Sequence, residues 1–136
     1  MQISHILETA LYTADLPAAE DFYTRVLGLE TFSRVEGRHL FFRLADAMLL
    51  IFNPEQTALS DQDVPPHGAR GPGHVAFTIQ EADFAAWREH LESESVEIEK
   101  EVEWPRGGRS LYFRDPAGNS LELASARIWG FSFKRI

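Results

Sequence analysis

One order of elements occurs twice in this chain, and it limits the possible folds more than any other feature. Residues 6–13 form an apolar, β-tolerant run that leads into Ala14-Asp15-Leu16-Pro17, where Asp15 is a helix N-cap and Pro17 falls in the first turn. Ala19, Phe22, Tyr23, Val26 and Leu27 then make one apolar stripe at helical spacing, and Gly28 supplies the stop. Strands are expected near 30–35, 38–44 and 47–53, parted by Glu36-Gly37 and Ala45-Asp46 as turns. The second half repeats this order: a strand at 73–79, a helix through Phe84, Trp87 and Leu91, and strands near 96–103, 109–114 and 119–124. The halves also share landmarks. Asp15 and Glu81 each open a helix, the residues seven positions before them are Glu8 and His74, and Gly37-Arg38 and Gly108-Arg109 each precede a strand ending Phe-Arg.

A unit of about 65 to 70 residues occurring twice is longer than solenoid repeats, so two β-α-β-β-β modules sharing one core fit better than an array. The 136 residues therefore read as a single domain: module 1 at about 4–53, a connector at about 54–72, module 2 at about 73–126, and an apolar tail at 127–136. The connector holds Pro54, Pro65, Pro66 and Pro72 with Gly68 and Gly71, which is too many breakers for a regular element. The tail is apolar at Ile128, Trp129, Phe131 and Phe133 and is expected to dock on the body or on a partner subunit.

Thirteen basic and 21 acidic residues leave a formal net charge of −8, which argues against nucleic acid as a partner. With no cysteine there is no disulfide framework, thiolate ligand or cysteine nucleophile. No basic, apolar leader opens the chain and no apolar run is long enough to span a membrane, so a soluble cytoplasmic protein is expected. Phosphate-binding glycine loops, serine nucleophile elbows and zinc-finger spacings are missing, which sets aside nucleotide and triad chemistries.

Strand alternation sorts the remaining candidates by face. Val75, Phe77 and Ile79 suit the helix side, and His74, Ala76 and Thr78 face away from it. Leu7 and Leu11 likewise oppose Glu8, Ala10 and Tyr12, and Leu121 and Leu123 oppose Ser120, Glu122 and Ala124. Three strands thus each carry one potential metal ligand, Glu8, His74 or Glu122, on the face turned from the helices. Each has an ordinary explanation on its own, since a strand glutamate commonly faces solvent; the shared face is what distinguishes them. His5 is a rival first ligand, but it lies three residues before Glu8 and so on the opposite face unless a bulge intervenes.

Glu8-Thr-Ala-Leu-Tyr-Thr-Ala-Asp-Leu, Phe22-Tyr, Leu27-Gly-Leu, Gly71-Pro-Gly-His74 and Tyr112-Phe-Arg-Asp-Pro-Ala-Gly-Asn-Ser-Leu-Glu122-Leu together resemble the vicinal oxygen chelate superfamily. That group includes glyoxalase I, extradiol dioxygenases, fosfomycin-resistance thiol transferases and bleomycin-binding proteins. The resemblance covers nearly the whole chain. It implies an α+β fold in which two βαβββ modules form a cup-shaped mixed sheet around a divalent metal ion, usually in a homodimer that sometimes exchanges modules between subunits. Carried over by position, the metal ligands fall on Glu8, His74 and Glu122. Two departures follow from the same comparison: the first ligand is more often histidine, and the fourth ligand of glyoxalase I falls at Leu50 or Ile51, neither of which binds metal.

One imidazole and two carboxylates make a harder, more anionic set than the two-histidine triad of Fe(II) oxygenases, and three protein ligands leave positions for water or a bidentate substrate. Zn, Mn, Fe, Ni and Mg all remain open as the ion. A second constellation, Arg106-Gly-Gly-Arg109-Ser110-Leu-Tyr112, suits an oxyanion, and fosfomycin-resistance enzymes carry a similar Ser-x-Tyr pair in the substrate pocket. Arg109, Ser110 and Tyr112, with Tyr12, His39, Phe41 and Phe52, are the expected pocket residues, whereas His67 and His90 read as loop and helix-surface positions and residues 92–103 as a solvated acidic stretch. No catalytic residue is assigned. The leading expectation is a metal-dependent enzyme, by isomerisation, ring cleavage or thiol addition, acting on a small molecule with adjacent oxygens. The alternatives are a metal-free binder that sequesters a small planar compound in an aromatic cup, and a module acting only as a scaffold.

Overall fold

The computed structural model describes residues 1–60 and 63–132. The chain divides into two compact units, the first made of Met1–Gly73 with Pro116–Gly118 and the second of His74–Asp115 with the chain from Asn119. Each unit carries one four-stranded mixed sheet with a ten-residue helix. Among the described residues no helix is long and apolar enough to cross a membrane.

In the first unit β1 (Glu8–Tyr12) leads into α1 (Leu16–Arg25), then β2 (Glu30–Val35), β3 (His39–Arg43) and β4 (Met48–Phe52). The Asp15 carboxylate accepts the Ala18 N–H at 3.1 Å, the capping bond expected of that residue. Ala19, Phe22, Tyr23 and Val26 are buried, and Tyr23 packs on Phe42 with ring centroids 5.5 Å apart. Gly28 ends the helix at φ +67°, a left-handed conformation that side chains with a Cβ resist.

The sheet runs β1-β4-β3-β2, with β1 parallel to β4 and the other pairs antiparallel. A register shift between Thr31 and Ser33 bulges β2 and leaves Phe32 exposed under the Arg43 guanidinium, 4.5 Å from the ring centroid. Leu11, Leu49 and Ile51 face the helix, whereas Glu8, Ala10, Tyr12, His39 and Phe41 lie on the other face by alternation.

The connector departs from expectation, because Pro54–Thr57 forms a one-turn helix, α2. Proline at the first helical position costs no hydrogen bond, and the Asn53 side chain accepts the Glu55 N–H at 3.1 Å.

The second unit repeats the order with β5 (His74–Thr78), a 3₁₀ turn at Glu81–Asp83, α3 (Phe84–Ser93), β6 (Lys100–Glu103), β7 (Arg109–Arg114) and β8 (Ser120–Ala124). Its sheet order, β5-β8-β7-β6 with β5 parallel to β8, matches that of the first unit. Phe84, Leu91, Leu111, Phe113, Leu121 and Leu123 form its buried layer. β6 is shorter than expected: Ser95 takes φ +58° and the Val96 N–H returns to the Leu91 carbonyl, so residues 96–98 finish the helix exit before the Glu99 N–H makes the first bond to β7, at the Tyr112 carbonyl. The start of the tail lies against the body of its unit, where Arg127 bonds Glu81 at 2.7 Å. Ala126–Trp129 is a 3₁₀ turn, Trp129 and Phe131 are exposed, and Phe133 lies outside the described residues.

Candidate metal centre

In the second unit every even-numbered strand residue from Lys100 to Ala124 alternates away from α3, and β5, β7 and β8 together bring four of the functional candidates onto that face. Tyr112 pairs with Glu122, Ser110 with Ala124, and Ala76 with Glu122, so the side chains of His74, Ser110, Tyr112 and Glu122 share one patch of sheet. The β7–β8 turn sets this register: the buried Asp115 carboxylate accepts both the backbone and the side-chain N–H of Asn119 at 2.9 Å. The Asp-Pro-x-Gly-Asn stretch therefore acts as a structural clamp that delivers Glu122 to the sheet.

His74 Nε2 stands 3.3 Å from Glu122 Oε1. The other nitrogen, Nδ1, lies 2.9 Å from the Ser120 carbonyl oxygen; a carbonyl only accepts, so Nδ1 carries a proton and donates. In the neutral ring Nε2 then presents a lone pair toward a carboxylate oxygen. Two acceptors this close repel each other until a proton or a metal ion stands between them. The second carboxylate oxygen, Oε2, accepts the Ser110 hydroxyl at 2.5 Å, and Ser110 Oγ accepts the Trp104 indole N–H at 2.9 Å. The Glu122 side chain is 8% exposed and the His74 side chain 51%.

A histidine tied through its far nitrogen to a carbonyl, next to a carboxylate tied through its far oxygen, has the outer-shell pattern of metal ligands. The donor chemistry of the pair fits a divalent ion. Among the described residues no three His, Asp or Glu side chains gather closely enough to hold one by themselves. Glu8, the third expected ligand, opens β1 of the first unit with an exposed side chain. His5 lies before β1, exposed and bonded to Ser4 at 2.8 Å.

Tyr112 stacks against His74, with centroids 6.4 Å apart at 26°. Burial raises its phenol pKa above the ordinary value; a Ser110 hydrogen bond opposes this, and the charge of Glu122 and a hydrogen bond to it reinforce it. The hydroxyl thus keeps its proton near neutrality. Arg109 does not join the cluster. Its guanidinium lies 5.8 Å from the Phe84 ring centroid, on the α3 side, because odd-numbered β7 positions face the helix.

The first unit carries an aromatic wall on the face turned from α1. His39 stacks on Phe41 at 3.9 Å and 7°, Phe41 meets Phe52 edge-on at 5.5 Å, and Phe52 meets His67 edge-on at 4.7 Å. Tyr12 bonds His67 Nδ1 through its hydroxyl at 2.7 Å, so His67 is part of this wall and not the plain loop residue its surroundings in the sequence suggest. Burial raises the Tyr12 phenol pKa. Arg38 donates to His39 Nδ1 at 2.6 Å, and burial, with help from the Arg38 charge, lowers the His39 pKa. A cavity of about 780 Å³ lies alongside, bounded among others by Glu55, His67 and Arg70.

Trp104 was not among the residues marked by the sequence. Its signal is parity, since Val102 pairs with Ser110 and Trp104 follows two positions later on the same face.

Two β-α-β-β-β units, one bearing a His–Glu pair on its open sheet face, define a class of protein whose family description matches residues 2–123 of this chain. The chain belongs to the Glyoxalase/Bleomycin resistance protein/Dioxygenase superfamily. It is similar to the crystal structure of lactoylglutathione lyase from Agrobacterium tumefaciens, with 41% identity, a TM-score of 0.93, and coverage of 96% of this chain and 100% of that one. Glutathione transferase FosA of Serratia marcescens is 32% identical over 113 residues, 83% of this chain and 74% of the relative. Metallothiol transferase FosB of Staphylococcus saprophyticus is 28% identical over 128 residues, 93% of this chain and 80% of the relative.

Proposed function

We propose that this chain is a divalent-metal-dependent enzyme acting on a small molecule with adjacent oxygen atoms, with His74, Glu122 and Glu8 as the side chains that hold the ion. The observation carrying this reading is the pair of facing acceptors, His74 Nε2 and Glu122 Oε1, each anchored through its far atom so that it cannot turn away. When bound, a divalent ion supplies Lewis acidity that stabilises negative charge developing on a substrate oxygen. The protein's own part is to hold its donors rigid and to keep a proton on the Tyr112 hydroxyl, close to Glu122, for a substrate oxygen to accept.

The three relatives described above are all named for a thiol, two of them for glutathione. A low-molecular-weight thiol is therefore the first co-substrate to try. Leu50 and Ile51, at the fourth-ligand position of glyoxalase I, are apolar and buried, which favours thiol transfer over the lyase reaction. The reading includes a homodimer.

Metal analysis of protein purified without chelator tests the proposal. One ion per chain is expected, lost in Glu122→Ala and held more weakly in Glu8→Gln. The aromatic wall of Tyr12, His39, Phe41, Phe52 and His67 supports a second reading, a metal-free binder of planar compounds. Protein that stays metal-free after incubation with Mn²⁺, Zn²⁺ or Ni²⁺, yet binds aromatic ligands, would favour that reading over the enzyme.

A further inference from the structure

We infer that Trp104 and Ser110 form a positioning relay that sets which oxygen of Glu122 is offered to a metal ion, an inference that rests on the metal-dependent reading above. An indole N–H can only donate, so Trp104 occupies an acceptor lone pair of Ser110 Oγ. That leaves the single hydroxyl proton of Ser110 directed at Glu122 Oε2, 2.5 Å away. With Oε2 taken, the carboxylate presents Oε1, the oxygen beside His74 Nε2.

The relay is built into a short hairpin. The Trp104 N–H bonds the Gly108 carbonyl at 3.0 Å and the Gly107 N–H bonds the Trp104 carbonyl at 2.9 Å, closing the turn between β6 and β7 and fixing where the indole starts. Ser110 is 1% exposed and Glu122 6%, so water is poorly placed to replace a lost partner. Trp104 is 38% exposed and lies outside the buried core. The two bonds lie in series. Removing the indole frees the hydroxyl to rotate, and removing the hydroxyl leaves the indole nothing to act through.

The experiment measures Mn²⁺ and Zn²⁺ dissociation constants by equilibrium dialysis for wild type, Ser110→Ala, Trp104→Phe and the double variant. Far-UV circular dichroism serves as a folding control. Ser110→Ala is expected to weaken binding by roughly 10- to 100-fold, the usual effect of removing an outer-shell partner. Trp104→Phe should weaken it by roughly 3- to 10-fold, as for one hydrogen bond. In the Ser110→Ala background Trp104→Phe should have no further effect, a non-additivity that a generally loosened hairpin does not produce. Ser110→Thr restores the hydroxyl and should recover most of the affinity, and Trp129→Phe, at an exposed site elsewhere, should match wild type.

Should Ser110→Ala fail to fold, Trp104→Phe and Ser110→Thr still decide the matter. Wild-type binding with an unchanged Trp104→Phe constant, or the same Trp104 penalty with and without the Ser110 hydroxyl, overturns the relay and leaves the metal reading standing. Wild-type protein that binds neither ion overturns the metal reading and the relay with it.

Discussion

Glu122 is a carboxylate placed where carboxylates are costly, and its surroundings explain how it is tolerated. A buried ionised group needs partners for its lone pairs, and here one oxygen has the Ser110 hydroxyl while the other faces His74. His39 meets burial differently, by staying neutral. Burial and the adjacent Arg38 lower its pKa from the ordinary value of 6.5, so in the folded chain it resists protonation where the unfolded chain accepts a proton. Between the lowered folded value and 6.5 the unfolded state binds more protons, and stability therefore falls as pH drops through that window and levels off below it. Urea unfolding between about pH 7.5 and 5.5 should show a smaller loss of midpoint in His39→Gln than in wild type. Equal losses in the two proteins would remove this role for His39.

Elements and their turns show how local chemistry fixes a side chain at a distance. The Asp115–Asn119 clamp sets the β7–β8 register, and the glycine turn after Trp104 sets β6 against β7. Gly108 serves that turn in two ways: its φ is +91°, and a Cβ there would stand 2.5 Å from Ile128 Cγ2. Gly28 has φ +67° with nothing within 4 Å of the same position. Gly28→Ala should therefore cost only the conformational part, about 1 kcal/mol, and Gly108→Ala more, roughly 2 to 4 kcal/mol, since overpacking adds to it. Thermal unfolding of the two variants checks the ordering. Equal costs would mean that Ile128 moves aside freely.

At this scale the sequence was legible where periodicity was strong. The Ala19, Phe22, Tyr23, Val26 and Leu27 stripe, the Asp15 cap and the alternation along β5 all stand in the structure as their patterns require. It was less legible where a short segment had competing uses. Arg109 belongs by composition with Ser110 and Tyr112, yet one step along a strand reverses the face, and it ends beside Phe84. Pro54 reads as a breaker and opens a helix, because the meaning of proline depends on its position relative to a cap.

For the whole molecule the prediction concerns assembly. Ile3, Ile6 and Leu7 are strongly exposed, and the proposed homodimer gives such residues somewhere to be buried. Light scattering on a size-exclusion column should return twice the 15.4 kDa mass of one chain, and a monomer at micromolar concentration would rule the dimer out.

What the sequence determined by itself was the duplicated architecture and the faces of its strands, because apolar periodicity and turn residues act through neighbours a few positions apart. The tertiary structure decided what each polar side chain meets. That His74 and Glu122, 48 positions apart, come within 3.3 Å, and that Trp104 reaches the same carboxylate through Ser110, depends on strand register across β5, β8, β7 and β6. The Asp115–Asn119 turn fixes β7 against β8 locally, but β5 pairs in parallel with β8 from a distant segment that no hairpin turn joins to it, so that part of the register is decided only when the fold assembles.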